Sequence, residues 1–482
     1  MGRSRRPATA LEAFFDLERF LARSATAHAG PPELERESER RGREVLRLAL
    51  QAHLDGRGHG DVGPALVADG PDGPVRLSHK RLHTRRLLTI FGEVSVTRTG
   101  YGARGQPSIH PLDAELCLPA RTYSYEICRR LTRAAVCGPF AEAIALIADM
   151  TGVVVPMRSA EAIVKDAAAD FEDFYATRAG KAPGPREILV GAIDCKGIPM
   201  VKPDGAQKVV RRRKGEKANK KKMATVAAVY SQAPCVRTPE EVLDSLFASP
   251  DAPARRQRRP RPAAKRVWAS LTADKDSFIA DVRAEMVRRD PRHRRTWVMV
   301  TDGERALQRR VANTFKGVTL VLDLLHAMDK LWKVAYVFNP EGSPGAVAFV
   351  RDRAERILTG QVSQVVKGLR QMVTKRGLKG EKAKTVRDVA NYYYANRERM
   401  RYDLYLSKGW PIASGSVEGA CKNLVRVRFE RSGMRWTVDV AEPVLQLRAV
   451  YLSDDFDDYW QFHVQQEQQR LHRKGQWRVV RK

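Results

Sequence analysis

Apolar positions recur every three to four residues across 9–55, in LEAFFDLERFLA and EVLRLALQAHL, and predict two amphipathic helices. The pattern then lapses. DGRGHGDVGPALVADGPDGP is rich in Gly, Asp and Pro and predicts a linker. RRLLTIFGEVSVTRTGYG alternates like two paired strands, with Gly92 near the turn. From 124 to 175 the helical spacing returns, in PFAEAIALIADMTG and, past a VVVP break, MRSAEAIVKDAAADF. A second helix starting near Ser159 suits a helix-turn-helix entering a major groove, and suits an ordinary helical hairpin equally.

Past Pro185 the pattern becomes that of an α/β domain. REILVGAIDCKG, KKKMATVAAVYSQ, KRVWASLTA, RTWVMVTD and VTLVLD predict strands, and the last two switch directly into helices. Between them TPEEVLDSLFASPDAPARRQRRPRPAAKR predicts a flexible insertion centred on about 239–263. Residues 341–405 read as helix nearly throughout, and QQEQQRLHRKGQWRVVRK reads as a polar, basic tail. No internal repeat is visible.

Composition narrows the partner. The 482 residues have room for two or three domains with cores, and 43% hydrophobic with 29% charged residues describes a globular chain. The 86 Lys and Arg against 56 Asp and Glu leave a formal charge of +30. Such a charge repels itself, so a polyanion, nucleic acid first, is the expected partner; a surface made basic for solubility is the alternative. Cysteines at 117, 128, 137, 195, 235 and 421 form no C-x-x-C pair, which predicts neither disulfide framework nor structural zinc and fits a reducing cytosol. MGRSRRPATALEAFF lacks the apolar core of a signal peptide, and no apolar run reaches the length of about 18 residues that spans a bilayer. The expectation is a cytoplasmic protein with no membrane partner. G-x-x-x-x-G-K-[ST] and H-E-x-x-H are missing, and no nucleotide cofactor is expected.

Within this cationic chain the acids at strand ends stand out. Three apolar runs finish on Asp194, Asp302 and Asp323, where sheets with parallel strands gather ligand groups. Asp302 and Asp323 each also fit as the N-cap of the following helix. WPIASGSVEGACKN adds Glu418 just inside a helix start, which a simple dipole-favoured cap would explain as well. Its neighbours Ala413, Gly415 and Gly419 leave room for a DNA backbone, Ser416 is placed to cap, and Lys422 and Arg426 follow on about the same face. Carboxylates converging beneath a phosphodiester need a cation between them. Hard oxygen ligands favour Mg²⁺ or Mn²⁺, and two ions about 3.5–4 Å apart would serve in-line displacement.

The ordered signatures AIDCKGIPM, TDGERALQ, LDLLHAMDKLWKVA and GWPIASGSVEGACKNLVRVRFERSGMRW resemble those of DDE transposases of the ISKra-type insertion-sequence family, and more distantly the Mutator-like group. LLTIFGEVSVTRTGY and PLDAELCLP extend the resemblance over most of 80–460. It implies an RNase H-like catalytic core with an all-helical insertion, after a mostly helical N-terminal DNA-binding region with a small β-hairpin. The implied divisions are helices at 1–60, linker and β element at 61–120, a possible helix-turn-helix at 121–182 and the first part of the core at 183–340. The helical insertion then covers 341–408, the last core helix 409–452 and the tail 453–482.

Asp194, Asp302 and Glu418 become the implied catalytic and metal-binding acids. Asp323 and His326 form a D-x-x-H element in support, with Asp323 competing with Asp302 for second place. The family's usual cysteine pair before PLD is replaced here by YGARGQPSIHPLD. KVVRRRKGEKANKKK carries nine cations in fifteen residues and RRQRRPRPAAKR seven in twelve, expected to contact phosphates without reading sequence. The expected DNA contacts are Arg211, Arg212, Arg213, Lys214, Lys220, Lys221, Lys222, Lys422, Arg426, Arg428 and Arg435. Trp436 either stacks on a base or plugs the core, the core being favoured. The implied activity is binding of element ends, metal-dependent cleavage and strand transfer into target DNA, by at least a dimer in the bacterial nucleoid. A structure-selective nuclease or resolvase, a non-catalytic transposase-derived DNA-binding protein and an RNA-binding protein are the competitors.

Overall fold

The computed structural model describes residues 8–23, 30–70, 73–201, 221–248, 260–472 and 477–480. The chain divides into two units, Met1–Tyr175 with Asp455–Lys482, and Ala176–Asp454.

In the first unit, α1 (Ala10–Leu21) opens with a capping box in which Thr9 and Glu12 satisfy each other's backbone N–H groups. It packs on α2 (Pro31–Gly56), which starts on prolines whose missing N–H costs nothing there. The expected linker contains a hairpin, β1 (Leu66–Gly70) and β2 (Gly73–Leu77), and the strand Trp477–Val479 adds antiparallel to β1. Five-residue strands are too short to show alternation, and their third partner lies at the far end of the sequence. β3 (His79–Thr89) and β4 (Gly92–Gly102) form the expected long hairpin, with Gly92 at the turn at φ +123°. After α3 (Pro111–Glu115), the helices α4 (Tyr125–Cys137), α5 (Phe140–Thr151) and α6 (Met157–Ala167) pack in pairs over buried Ile127, Leu131, Ile147 and Ile163, and α7 (Phe171–Thr177) follows. The expected polar tail holds a 16-residue helix, Phe456–Leu471. It buries Phe456, Tyr459 and Trp460, and His463 bonds buried Asp170 at 2.7 Å.

The second unit is a mixed α/β structure. Its sheet runs β7-β6-β5-β8-β9, built from β5 (Ile188–Pro199), β6 (Lys221–Gln232), β7 (Ala263–Ser270), β8 (Trp297–Thr301) and β9 (Thr319–Leu322). β5, β6 and β7 pair antiparallel, whereas β5, β8 and β9 pair parallel. Both faces are covered, so Leu189, Val190, Ala192 and Ile193 are wholly buried, which is why these strands read as continuous apolar runs. The segment expected as one flexible insertion begins as a helix, α8 (Pro239–Phe247), and ends in β7; residues 249–259 lie outside the described set. Thr238 and Glu241 form a capping box that fixes the start of α8.

α9 (Lys275–Arg289) packs on β5 and β6 and carries a buried ionic knot. Glu285 accepts from Arg266 of β7 at 2.7 Å, from Arg289 at 2.7 Å and from Arg288 at 2.9 Å. Arg266, the last cation of the second basic cluster, is thereby internal and stacks on Trp268. α10 (Arg305–Thr314) joins β8 to β9, and α11 (Leu324–Phe338) follows β9. Next come α12 (Pro344–Leu358), α13 (Val362–Lys375), α14 (Gly380–Asn396) and α15 (Tyr402–Ser407), then α16 (Gly415–Ala420). A π-helical turn, Cys421–Arg426, leads into α17 (Val427–Phe429), and α18 (Val438–Leu452) packs on β7.

Candidate active site

The sheet register lines up the strand-end acids. The parallel ladder between β5 and β8 ends at Ile193 opposite Thr301, and that between β8 and β9 ends at Thr301 opposite Leu322. Asp194, Asp302 and Asp323 are therefore the next residues on three adjacent strands, which lie about 4.8 Å apart. β5 does not stop at Asp194 as its sequence suggests; it continues to Pro199 against β6, and only its parallel pairing ends there. A side chain at Gly191 would meet Met286 of α9. Three residues on, strand alternation turns Asp194 to the other face.

That face receives the helix carrying Glu418. The thiol of Cys421, in the π turn, donates to Asp194 Oδ2 at 3.3 Å, and the Cys195 N–H donates to Oδ1 at 2.6 Å. Burial first, then the Asp194 charge, pushes the Cys421 thiol far up, so it stays a donor. π turns inside helices occur often at functional sites because the widened turn displaces side chains from the usual rows. Adding a Cβ at Gly415 or Gly419 would meet nothing within 4 Å, so open space adjoins Glu418.

The three aspartates play different parts. Asp302 is half-buried and accepts from the Glu304 N–H at 3.2 Å, while Glu304 itself caps α10. Asp302 is thus not spent as the helix cap. Asp323 is. It is fully buried, and its Oδ1 accepts from Leu325 and His326 N–H groups at 2.7 and 3.3 Å. Its Oδ2 accepts from the Ser414 N–H at 2.7 Å and from the Ser414 hydroxyl. Four donors use the four lone-pair directions of a carboxylate. The Leu324 N–H also bonds Ile412 O at 2.8 Å, so α11 is stapled to the loop that launches Glu418. Ser414, rather than Ser416, occupies the N-cap of α16, and its hydroxyl serves Asp323 instead of the helix.

Ligand atoms of Asp323, His326 and Glu418 all lie within 4.8 Å of one another, the one such group of three or more among the described residues. Asp194 and Asp302 flank it electrostatically. Burial, then the charges of Asp323 and Asp194, push Glu418 above the usual carboxylate range, against a lowering by His326. Burial and the Asp194 charge do the same to Asp302, opposed by the Glu304 N–H and His326. The acids thus converge with less cationic compensation than they need. On the rim, a Cβ at Gly303 would collide with the Tyr392 hydroxyl and ring, so α14 reaches the end of β8. Tyr392, Ser414 and Cys421 escaped sequence reasoning. The latter two stand inside the WPIASGSVEGACKN stretch, and the glycine after Asp302 was the trace of Tyr392.

The expected DNA contacts divide. Arg211, Arg212, Arg213, Lys214 and Lys220 lie outside the described residues. Lys222, Lys422, Arg426 and Arg435 are exposed; Lys221 is exposed but pairs with Glu430 at 2.5 Å, and Arg426 approaches the same acid at 3.9 Å. Arg428 is a correction. It is 1% exposed and stacks on Trp436 with 4.7 Å to the ring centroid, so it braces the core and offers nothing to a phosphate. Trp436 is itself buried, its indole N–H donating to Phe429 O at 3.2 Å, and its backbone bridges to the end of β5.

Neither a comparison with protein-family models nor one with curated proteins finds a match. No helix among the described residues is long and apolar enough to cross a membrane.

Proposed function

We propose that the chain is a DDE transposase whose second unit is an RNase H-like catalytic core, with Asp194, Asp302 and Glu418 as its metal-binding acids. The observation that carries this is that Asp194, Asp302 and Asp323 follow the ends of three adjacent parallel strands, with Cys421 tying the helix of Glu418 to Asp194, while the ligand atoms within 4.8 Å of one another are those of Asp323, His326 and Glu418. The donor set fits a hard divalent cation: it is all carboxylate oxygen, and burial with neighbouring negative charge disfavours ionisation of two of its members, which a bound cation would offset. When bound, Mg²⁺ or Mn²⁺ supplies Lewis-acid activation of a water or 3′-hydroxyl and charge stabilisation at phosphate oxygens.

The chain's own residues do the positioning. Asp323, with every lone pair engaged, holds α11 and the Glu418 loop in register and serves as a positioning residue instead of a ligand. His326 eases ionisation of both Asp302 and Glu418. Lys422, Arg426 and Arg435 line the approach for a strand of nucleic acid, adding charge contacts that set register without reading bases. Pairing two element ends requires two copies of the chain, so the acting form on DNA is at least a dimer.

The test is cleavage of DNA carrying the ends of the encoding element, with Mg²⁺ or with EDTA, by wild type, Asp194→Asn, Asp302→Asn and Glu418→Gln. Metal-dependent cuts at the element boundary, lost in all three variants, are expected. Boundary cuts that persist in any variant remove that residue from the site, and cuts confined to branched DNA favour a structure-selective nuclease.

A further inference from the structure

A second polar constellation lies between α10 and the end of α14. Arg305, Gln308, Arg309, Asn396 and Arg399 line an open cleft of about 280 Å³ between α10 and the end of α14. Arg305 and Arg309 are exposed, Arg399 half-buried, and among the described residues none of the three meets a carboxylate. Like charges gathered in one cleft oppose each other until an anion neutralises them.

Beneath them sit two amides that the fold leaves incomplete. Gln308 is 4% exposed and its Nε2 has no hydrogen-bond partner; Asn396 is 2% exposed and its Oδ1 has none. The orientation of Asn396 is fixed, because its Nδ2 donates to Tyr392 O at 2.9 Å. Gln308 Oε1 receives only a long 3.5 Å contact from Arg399, which a stronger acceptor would draw away. Buried amide atoms without partners are costly, and native proteins keep few of them without a use. Three guanidiniums and an amide N–H call for an anion rich in oxygen acceptors, with geometry that arginine forks match well in phosphate. The remaining amide oxygen calls for a hydroxyl or amino group beside that phosphate, as a nucleotide unit carries.

We propose that this cleft binds a phosphate group of a nucleic-acid strand, through Arg305, Arg309 and Arg399 with Gln308 and Asn396 completing the contact. The nucleic-acid source rests on the function proposed above; the anion site does not. α10 starts three residues after Asp302, so a strand held here is anchored on the helix that follows that acid.

The experiment uses the full chain in EDTA, comparing wild type, Arg305→Ala/Arg309→Ala and Arg305→Lys/Arg309→Lys. Binding to a duplex of arbitrary sequence is titrated with salt, and thermal stability is followed against inorganic phosphate. The alanine variant is expected to bind DNA about 10-fold more weakly, with a log–log salt slope shallower by about one, since each neutralised phosphate contributes about 0.9. The lysine variant should keep most of the slope, and phosphate should raise the melting temperature of wild type but not of the alanine variant. Loss of the phosphate effect with DNA affinity unchanged overturns the nucleic-acid source and leaves a small phosphate compound as the ligand. If wild type binds no duplex, the transposase reading fails and the phosphate arm alone decides the cleft. An alanine variant that matches wild type in both arms, or a wild type that responds to neither ligand, overturns the proposal, and an adventitious cluster of charge remains.

Discussion

Replacing Asp323 separates scaffold from ligand. In Asp323→Ala the cap of α11 is lost, worth about 0.5–2 kcal/mol. The Ser414 N–H and hydroxyl are also stranded in a site with no exposure, at about 1–3 kcal/mol for a buried donor left alone. With some relief from rotation of the hydroxyl, the total is about 3–5 kcal/mol, enough to free the loop that carries Glu418 without unfolding the whole second unit. In Asp323→Asn one oxygen still caps the helix while the amide meets the Ser414 N–H donor to donor, so about 1–3 kcal/mol is lost. Hydrogen exchange read by mass spectrometry over 323–326 and 412–418 measures this locally. Both segments should exchange faster in each variant, the alanine one most, and Mn²⁺ affinity should fall in proportion. An Asp323→Asn protein that loses Mn²⁺ while keeping wild-type protection over 412–418 would refute the reasoning, because Asp323 would then be a ligand.

Three further outcomes are expected. Glu418→Gln removes a carboxylate that burial and its neighbours disfavour, so the metal-free protein should melt higher than wild type while losing the stabilisation that Mg²⁺ or Mn²⁺ confers on wild type; a variant that melts lower without metal contradicts this. Burial opposes ionisation of Glu285, but Arg266 and Arg289, with hydrogen bonds from Arg288 and Arg289, outweigh it and hold the group at about 2. Because that lies below its unfolded value near 4.5, about 3 kcal/mol of stability is present above pH 4.5 and lost as pH falls toward 2; Glu285→Gln should remove that acid dependence from denaturant titrations of the second unit, and at neutral pH should cost about 3–5 kcal/mol. Gly303→Ala drives a methyl into the Tyr392 hydroxyl and ring, costing about 1–3 kcal/mol; combining it with Tyr392→Ala should cost less than the sum of the two changes, and strict additivity in thermal unfolding would show that the two residues do not meet.

The five core strands and the helices after them were legible because burial on both faces writes long apolar runs, three of which end on acids. The acids' own assignments were less so. Nothing in LVLD and WVMVTD tells which aspartate its helix consumes; Glu304, one residue past Gly303, frees Asp302, and Ser414, ninety-one positions away, occupies Asp323. Arg428 misled because a cation in a basic stretch reads as surface, whereas Trp436 and the core claim it. β1 and β2 were hidden by their brevity. Phe456–Leu471 was hidden by its mean polarity, its apolar stripe being only Phe456, Tyr459 and Trp460 on one side.

The π turn at Cys421–Arg426 has a consequence for how this helix tolerates change in length. Removing a residue from an ordinary helix twists everything beyond the gap by about 100°, turning buried faces out. Here one deletion would close an i→i+5 turn into an i→i+4 turn, and both flanks would keep their faces. The helix thus carries a spare residue between Glu418 and the buried Arg428–Trp436 stack. A one-residue deletion within 421–426 is the length change that this otherwise unforgiving segment is built to survive, and losing the Cys421 reach toward Asp194 is what survival would cost.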